Sequence, residues 1–252
     1  MAWTSPCVQP EHTLIGPEEA GMTLKALTFD TGGTILDWHR GISGAFAAAG
    51  AARGLKADWA AVTNEYRRRS LKGIVNAEHP AYNFDDVHRS KLDEVIAEFK
   101  LDALTTDDRD AIWRTWHALD AWPDFVAGAA RMRKRYVVAS FTLLTTSLVV
   151  DVSKKNGIDW DVIISCEMIG IYKTRPEAYR TAAKWLQLEP AEIMMVACHN
   201  FDLDAARASG YQTAFVRRPD EWGPGGPPDP NANPACTLVV DGFAQLADKL
   251  GA

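Results

Sequence analysis

Cysteine is scarce in this sequence of 252 residues: its four cysteines are scattered and form neither a C-x-x-C pair nor a spacing typical of zinc ligands. This scarcity argues against a disulfide scaffold or a zinc ribbon and favours a reducing compartment. Long apolar runs are missing too, since none approaches the ~20 residues that a membrane helix needs. The N-terminus also lacks the basic stretch and apolar run of a signal peptide. We therefore expect a soluble, cytoplasmic protein.

Positive charge is limited as well. The sequence has 27 Lys and Arg residues against 33 Asp and Glu residues, a net charge of −6, and no basic block. Nucleic acids and anionic membranes attract basic surfaces, so this composition argues against both as partners. The content of 47% apolar and 24% charged residues is ordinary for a globular protein and argues against a mostly disordered chain.

Three regions follow one another along the sequence. Residues 1–22 show no periodicity and contain three prolines, so we predict an irregular extension there. Residues 40–121 contain helical patterns only, whereas strand and helix patterns alternate from residue 122 onward. Alternation of this kind predicts a mainly parallel, doubly wound α/β sheet. The sequence thus predicts an α/β core domain of residues 23–39 and 122–252, interrupted by an all-helical domain of residues 40–121.

Short apolar runs and amphipathic runs mark the individual elements. The predicted strands are 24–29, 136–141, 162–165, 193–197, 213–216 and 238–240. The predicted helices lie at 44–52, 59–74, 84–99 and 112–119 in the interrupting domain, and at 125–134, 146–156, 177–187, 203–209 and 242–250 in the core. Six prolines fall between Pro219 and Pro234, so we predict a loop there, over the mouth of the site or at an interface.

Polar residues follow several of the predicted strands, and they include the candidate functional residues of the sequence. The first strand runs into Asp30 and two glycines, in the segment FDTGGT. A carboxylate at a strand end, beside backbone that can approach closely, suits a nucleophile or a metal ligand. Three further segments are YVVASFT at 136–142, YKTRPEAY at 172–179 and IMMVACHNFD at 193–202. Ligands of open α/β sheets bind at the carboxyl ends of strands, so we expect a site at this edge.

Taken in this order, the four segments resemble those of the haloacid dehalogenase superfamily, in its L-2-haloacid dehalogenase (type II) branch. The stretches FDTGGTILDW, LDAWPDFVAGA and HNFDLDAARASG carry the resemblance most closely. The resemblance implies a Rossmann-like core with a helical cap and an active site between them. It also implies a hydrolase without metal or other cofactor that releases halide from a short 2-haloalkanoic acid through an aspartyl ester. A homodimer is compatible with it.

The resemblance assigns the nucleophile to Asp30, whose pKa the ammonium group of Lys173 would lower. It implies that Thr34 orients the Asp30 loop, that Thr142 holds the substrate carboxylate and that Arg67 faces the leaving halide. The catalytic residues expected on this basis are Asp30, Lys173, Asp202, Thr34 and Asn200. The expected substrate-binding residues are Arg67, Thr142, Tyr179, His199, Thr31 and Gly32.

Several of these residues also have a purely structural interpretation. Ser140 competes with Thr142 as the hydroxyl at the strand end, and Asp202 could cap the helix that follows it. In a helix with three successive arginines at least two face solvent, because neighbours point about 100° apart. The inward position of Arg67 therefore depends on the resemblance alone. His199 could be a hydrogen-bonded part of the scaffold.

Two departures from the phosphatases of this superfamily favour the dehalogenase. Gly32 stands where they carry a second aspartate as general acid, and Cys198 takes one of the acidic positions that hold Mg²⁺. We predict Cys198 to be a small buried apolar residue. Dehalogenases of this branch usually have an aromatic residue at the position of Gly32, so the absence of that ring predicts a wider pocket. They also have an asparagine, whose amide helps to order the site, at the position of Leu143. A Mg²⁺-dependent phosphatase and a non-catalytic protein that binds a small carboxylate stay open as alternatives.

Overall fold

Six parallel strands form a single sheet in the computed structural model, which describes residues 23–224, 226–227 and 231–252. The order of the strands is β3-β2-β1-β4-β5-β6, and each neighbouring pair is parallel. They are β1 (Ala26–Phe29), β2 (Val137–Thr142), β3 (Val162–Ser165), β4 (Ile193–Ala197), β5 (Gln212–Val216) and β6 (Leu238–Val240). The predicted doubly wound sheet is confirmed, and the extension predicted at 1–22 lies outside the described residues.

Burial on both faces explains why short apolar runs located the strands. All residues of β1 and β4 are buried, as is typical of parallel strands that helices cover on both sides. The strands predicted at 162–165, 193–197 and 238–240 agree residue for residue with β3, β4 and β6. The winding direction reverses at β1, which lies between β2 and β4, and the carboxyl ends at such a switch point form a crevice. Asp30 directly follows β1 and lies at this crevice.

Helices of the core follow the strands in alternation, as the sequence predicted. They are α5 (Phe125–Met132), α6 (Thr146–Asn156), α7 (Cys166–Ile169), α8 (Pro176–Leu186), α9 (Asn200–Ala208) and α10 (Phe243–Lys249). The four-residue α7 is too short to show a helical period and was not predicted. Helix α9 begins three residues earlier than predicted, and this places its first turn at the sheet edge that carries Asp30.

The regular elements between β1 and α5 are all helices. They are α1 (Trp38–Ala52), α2 (Trp59–Ile74), α3 (Phe84–Glu98) and α4 (Thr106–Arg114), followed by a 3₁₀ turn (Thr115–Ala118). Side chains of Asp37, Asp58, Asn83 and Thr105 accept hydrogen bonds from first-turn amides and so fix where each helix starts. The inserted all-helical cap is confirmed, while its bounds at 40 and 121 stay a prediction. Across the described ranges no helix is long and apolar enough to cross a bilayer.

A histidine connects the cap to the core. His117, in the 3₁₀ turn, places Nδ1 2.7 Å from Asp151 Oδ2 on α6 and Nε2 3.3 Å from Asp85 Oδ2 on α3. The hydroxyl of Thr145, just before α6, donates to the same Asp85 oxygen over 2.9 Å. The hydrogen bond with Asp85 and the charge of Asp151 raise the pKa of His117 above its ordinary value, although partial burial opposes them. The protonated form therefore bridges cap and core.

Replacing His117 by Asn is expected to destabilise the protein in a pH-dependent way. A raised pKa in the folded state means that this stabilisation is complete below the unfolded value of about 6.5 and disappears as the pH rises through the folded value. We expect a loss of roughly 0.5–1 kcal/mol at about pH 6, because the pair is partly solvated. This corresponds to a few degrees in Tm. Thermal unfolding of both proteins across this range measures it, and a Tm difference that grows with pH would contradict the assignment.

Candidate active site

The carboxylate of Asp30 is the centre of the site. The chain turns directly after β1, with the Asp30 amide bonded to the carbonyl of Val196 on β4 over 3.0 Å, so the side chain lies at the sheet edge. Oδ2 accepts from the Thr34 hydroxyl over 2.9 Å and faces Nδ1 of His199 at 3.1 Å. Oδ1 accepts from the ammonium group of Lys173 over 3.3 Å. The structure thus brings two of the predicted site residues, Thr34 and Lys173, into contact with Asp30.

Lys173 is fully buried and connects Asp30 to a second carboxylate. Its Nζ donates to Asp202 Oδ2 over 2.7 Å, and the Tyr179 hydroxyl donates to Asp202 Oδ1 over 2.6 Å. Asp202 lies in the first turn of α9, whose preceding residue His199 makes no side-chain capping bond. Since both oxygens of Asp202 bind side chains of the site, the alternative that it merely caps the helix is not supported.

Charged neighbours outweigh burial in setting the pKa values of Asp30 and Lys173, whereas burial raises the pKa of Asp202 above its ordinary value. Burial alone would raise the pKa of Asp30, but Lys173 and His199 outweigh it and lower that pKa well below its usual range. Burial likewise would lower the pKa of Lys173, but Asp202 and Asp30 raise it. Asp30 is therefore an anion and Lys173 a cation at neutral pH. Such a buried pair is stable only while both partners are present.

Arg67 fills the space beside Gly32. Its Nη2 donates to the Gly32 carbonyl over 3.2 Å, and its guanidinium lies over the rings of Trp38 and Trp116, 5.4 and 5.3 Å from their centroids. A Cβ atom on Gly32 would lie 3.3 Å from the same Nη2. The prediction that the missing ring widens the pocket is therefore wrong, because the buried arginine takes its place. Arg68 is exposed, as expected for a neighbour on the same helix.

The cavity between core and cap is small, about 10 Å³. A volume of this size holds roughly one water molecule. Seven residues that the sequence predicted for the site line it: Asp30, Gly32, Arg67, Thr142, Lys173, His199 and Asp202. Thr142 rather than Ser140 thus reaches the cavity. The remaining lining residues are Leu71, Phe84, Leu143, Leu144 and Phe201.

Four predicted site residues are not among those that line this cavity: Thr34, which contacts Asp30 as described above, and Asn200, Thr31 and Tyr179. Asn200 is turned away because it opens α9 on the side facing the loop: its amide donates to the Asn231 carbonyl over 2.8 Å, and its Oδ1 accepts from the Asn233 amide over 3.0 Å. The catalytic role expected of Asn200 stays a prediction, and in this structure its side chain contacts the loop instead of Asp30. The hydroxyl of Thr31 lies 2.9 Å from that of Ser140 and connects the end of β1 to β2, while its expected substrate contact stays a prediction.

Tyr179 contacts a residue that lines the cavity but does not line it itself. Its buried hydroxyl donates to Asp202 and its ring meets Phe141 edge to face at 5.3 Å, so it holds Asp202 in place for Lys173. The contacts of Tyr179 in this structure are those of a positioning residue, and the substrate-binding role expected from the sequence stays a prediction. Tyr179 extends from α8, and its hydroxyl is engaged by Asp202 Oδ1.

Glu221 is a buried member of the site that sequence reasoning missed. It lies in the proline-rich stretch after β5, and its Oε1 accepts from Trp38 Nε1 over 3.0 Å and faces His199 Nε2 at 2.9 Å. Gly33 has a positive φ of 98°, and a Cβ atom there would clash with the Glu221 carboxylate. The available signal was the prediction that this proline-rich stretch lies over the mouth of the site or at an interface.

The six ionisable groups around the cavity balance one another in charge. Burial would raise the pKa of Glu221, but His199 and Arg67 lower it. Burial would lower the pKa of His199, but acidic neighbours that include Glu221 and Asp30 raise it well above the ordinary value. Three acidic side chains thus lie close to three basic ones. They are Asp30, Asp202 and Glu221, and Lys173, His199 and Arg67.

Two groups of side chains invite comparison with metal sites. The carboxylates of Asp30 and Asp202 both bind the Lys173 ammonium, and the nearby Cys198 is a buried thiol with a pKa raised by burial to about 11. Cys198, His199 and Glu221 also lie within 4.8 Å of one another. In this group both ring nitrogens of His199 face carboxylate oxygens, Nδ1 at 3.1 Å from Asp30 Oδ2 and Nε2 at 2.9 Å from Glu221 Oε1.

Comparison with known proteins agrees with this geometry. Residues 24–210 match the family described as haloacid dehalogenase-like hydrolase. The chain is similar to the solved defluorinating L-2-haloacid dehalogenase Rha0230, with 35% identity and a TM-score of 0.83 over 91% of this chain and 96% of that one. It is also similar to L-2-haloacid dehalogenase PA0810, with 33% identity and a TM-score of 0.82 over 90% and 99%. The (S)-2-haloacid dehalogenase 1 of Pseudomonas sp. (strain CBS-3) is 26% identical over 77% of this chain and 85% of its own.

Proposed function

The chain belongs to the haloacid dehalogenase-like hydrolases, in their L-2-haloacid dehalogenase branch, and we propose that it hydrolyses the carbon–halogen bond of short 2-haloalkanoic acids through an aspartyl ester, without a metal ion. The observation that carries this proposal is the ionised Asp30 carboxylate, buried at the cavity and held by Lys173 and Thr34. A desolvated carboxylate that stays charged is a nucleophile able to attack carbon.

In the first proposed step Asp30 displaces halide. An electron pair of the Asp30 carboxylate forms a bond to the halogen-bearing carbon, and the carbon–halogen pair leaves with the halide ion. The ester that results is neutral at Asp30, so one negative charge has moved from the carboxylate to the halide. Covalent catalysis of this kind divides one difficult displacement into two easier steps.

In the second proposed step water attacks Cγ of the Asp30 ester. The water oxygen bonds to Cγ, the bond from Cγ to the substrate-bound oxygen breaks, and the Asp30 carboxylate forms again. One water proton ends on the oxygen of the released 2-hydroxy acid, and the second is released to solvent. Water oxygen is thereby retained in Asp30.

Arg67 is the proposed binding group for the negative charge of the substrate. It is 3% exposed, and its Nε and Nη1 have no hydrogen-bond partner within the described part of the chain. Unpaired buried donors are costly, and a carboxylate or a halide ion in the cavity would satisfy them. Because the cavity holds about one water, entry of a haloacid requires that the cap side chains Arg67, Leu71 and Phe84 move away from the sheet edge.

The phosphatase alternative lacks support at its two critical positions. Gly32 has no group that could protonate a leaving alkoxide. The thiol of Cys198 does not replace an acidic Mg²⁺ ligand, since magnesium prefers oxygen. The alternative of a non-catalytic carboxylate binder shares Arg67 with our proposal but does not account for an Asp30 carboxylate kept ionised in a buried site.

Halide release tests the proposed function directly. We expect chloride from 2-chloropropionate, and fluoride from fluoroacetate if that substrate fits, at rates that EDTA does not change; ion chromatography measures both. Turnover of p-nitrophenyl phosphate that requires Mg²⁺ would support the phosphatase instead. Silence in both assays, with 2-chloropropionate raising the Tm, would identify a binding protein without turnover.

A further inference from the structure

His199 and Thr34 both contact the same carboxylate oxygen of Asp30, the proposed nucleophile. The Thr34 hydroxyl lies 2.9 Å and His199 Nδ1 3.1 Å from Asp30 Oδ2, whereas Oδ1 is bound by Lys173 at the longer distance of 3.3 Å. An oxygen with two close donors is the poorer nucleophile, because its electron pairs are already engaged. Attack on the substrate by Oδ1 follows, and it leaves Oδ2 as the carbonyl oxygen of the ester.

Water attack on the ester places negative charge on that carbonyl oxygen. As the water oxygen bonds to Cγ, the π pair of the Cγ–Oδ2 bond moves onto Oδ2, and it returns when the Cγ–Oδ1 bond breaks. Donors that stabilise such an oxyanion lie 2.7–3.1 Å from it in characterised enzymes. Thr34 and His199 already occupy this range before any ester has formed.

The carboxylate of Glu221 contacts the second ring nitrogen of His199, Nε2. Its Oε1 lies 2.9 Å from Nε2 and is itself held by the Trp38 indole, and Gly33 leaves the space that the carboxylate occupies. A ring nitrogen can donate to a carboxylate only if it carries a proton. Glu221 at Nε2 and Asp30 at Nδ1 therefore each require a protonated nitrogen. The imidazole ring is thereby fixed in orientation and in its doubly protonated form.

Given the proposed dehalogenase function, we propose that His199 and Thr34 form an oxyanion hole around Asp30 Oδ2 during hydrolysis of the aspartyl ester. Glu221 positions His199 and keeps it protonated. His199 thus serves the second step rather than the displacement of halide. Glu221 contacts neither substrate nor ester, so its effect reaches the reaction through His199.

Other charged groups around His199 do not replace Glu221. Asp30 faces it from the end of β1, but esterification removes that negative charge. Cys198, at the end of β4, is 3.5 Å from Nε2 and stays protonated because burial raises its thiol pKa to about 11. Arg67 on α2 and Lys173 before α8 are cations and disfavour a protonated ring. In the ester, Glu221 is therefore the anion that keeps the ring charged.

Single-turnover kinetics of Glu221→Gln with 2-chloropropionate test this inference. We expect chloride release close to that of the wild type but decay of the ester slowed roughly 10- to 100-fold, so that the adduct accumulates on Asp30. Quenched samples give chloride by ion chromatography and the adduct by intact-protein and peptide mass. As the control, Asp161→Asn removes a hydrogen-bonded carboxylate at the amino end of β3 and should leave both steps unchanged.

The pH profile of ester decay separates a donor from a base. In the wild type the decay should not change across neutral pH, because Glu221 keeps the ring protonated. In Glu221→Gln it should fall as the pH rises past the ordinary histidine pKa of about 6.5. Decay that instead slows as the pH falls would show His199 taking a proton from water and would overturn the inference.

Two variants of His199 keep the test independent of Glu221. His199→Asn retains an N–H donor near the position of Nδ1 and should keep ester decay within about tenfold, whereas His199→Leu removes it and should slow decay about 100-fold. Equal decay rates in the two, or wild-type decay in Glu221→Gln, would overturn the oxyanion hole. Absence of chloride from the wild type would instead refute the dehalogenase function itself.

Discussion

Asp30→Asn is expected to abolish halide release, with a loss of more than about 10⁴-fold. The amide is nearly the same size as the carboxylate but is neutral, so no charged oxygen is available to attack carbon. The fold should persist because Lys173 keeps its 2.7 Å bond to Asp202. Chloride release from 2-chloropropionate measures the effect, and thermal unfolding confirms that the variant is folded.

The fate of water oxygen gives the same prediction a second readout. After one turnover in ¹⁸O-water we expect the label in Asp30 itself, since water attacks Cγ of the enzyme and not the carbon of the substrate. Peptide mass analysis locates the label. Wild-type chloride release by Asp30→Asn, with Asn verified at position 30 in the recovered protein, would contradict the mechanism, as would label found only in the product after a single turnover.

Lys173→Met is expected to impair both folding and reaction. Removal of the ammonium group leaves Asp30 and Asp202 as two buried carboxylates without their common cation, and the loss of one partner from a buried ion pair costs about 3–5 kcal/mol of unfolding free energy. The pKa of Asp30 should also rise, because burial is then opposed by fewer cations. Halide release should therefore fall, and what remains should decrease further as the pH is lowered through the raised pKa. Denaturant unfolding and chloride release measure the two effects.

The double variant Lys173→Met with Asp202→Asn separates these effects. It removes a cation and an anion together, so we expect much of the unfolding free energy to return while halide release stays low. Lys155→Met, which removes a half-exposed lysine paired with Asp120, is the matched control and should change the free energy by no more than about 1 kcal/mol. A Lys173→Met protein as stable as the control would show that the charges at this site are not coupled.

Local patterns located most of the elements but not the contacts between them. The strands β3, β4 and β6 and the helices α2 and α6 follow the sequence because apolar runs and helical periods depend on neighbours along the chain. The width of the pocket beside Gly32 could not be predicted from such local patterns. Whether Gly32 leaves a hollow depends on α2, which brings Arg67 into that space from 35 residues away.

The sequence by itself determined the alternation of strands and helices, the helical cap and, through resemblance, the nucleophile Asp30 and its partner Lys173. Tertiary structure alone decided which charges meet: it brought Glu221 to His199, turned Asn200 toward the loop and placed Tyr179 behind Asp202. The physical reason is that a buried ion or hydrogen bond is defined by direction and distance between groups far apart in sequence. Hydrophobic periodicity, in contrast, needs only the order of nearby residues.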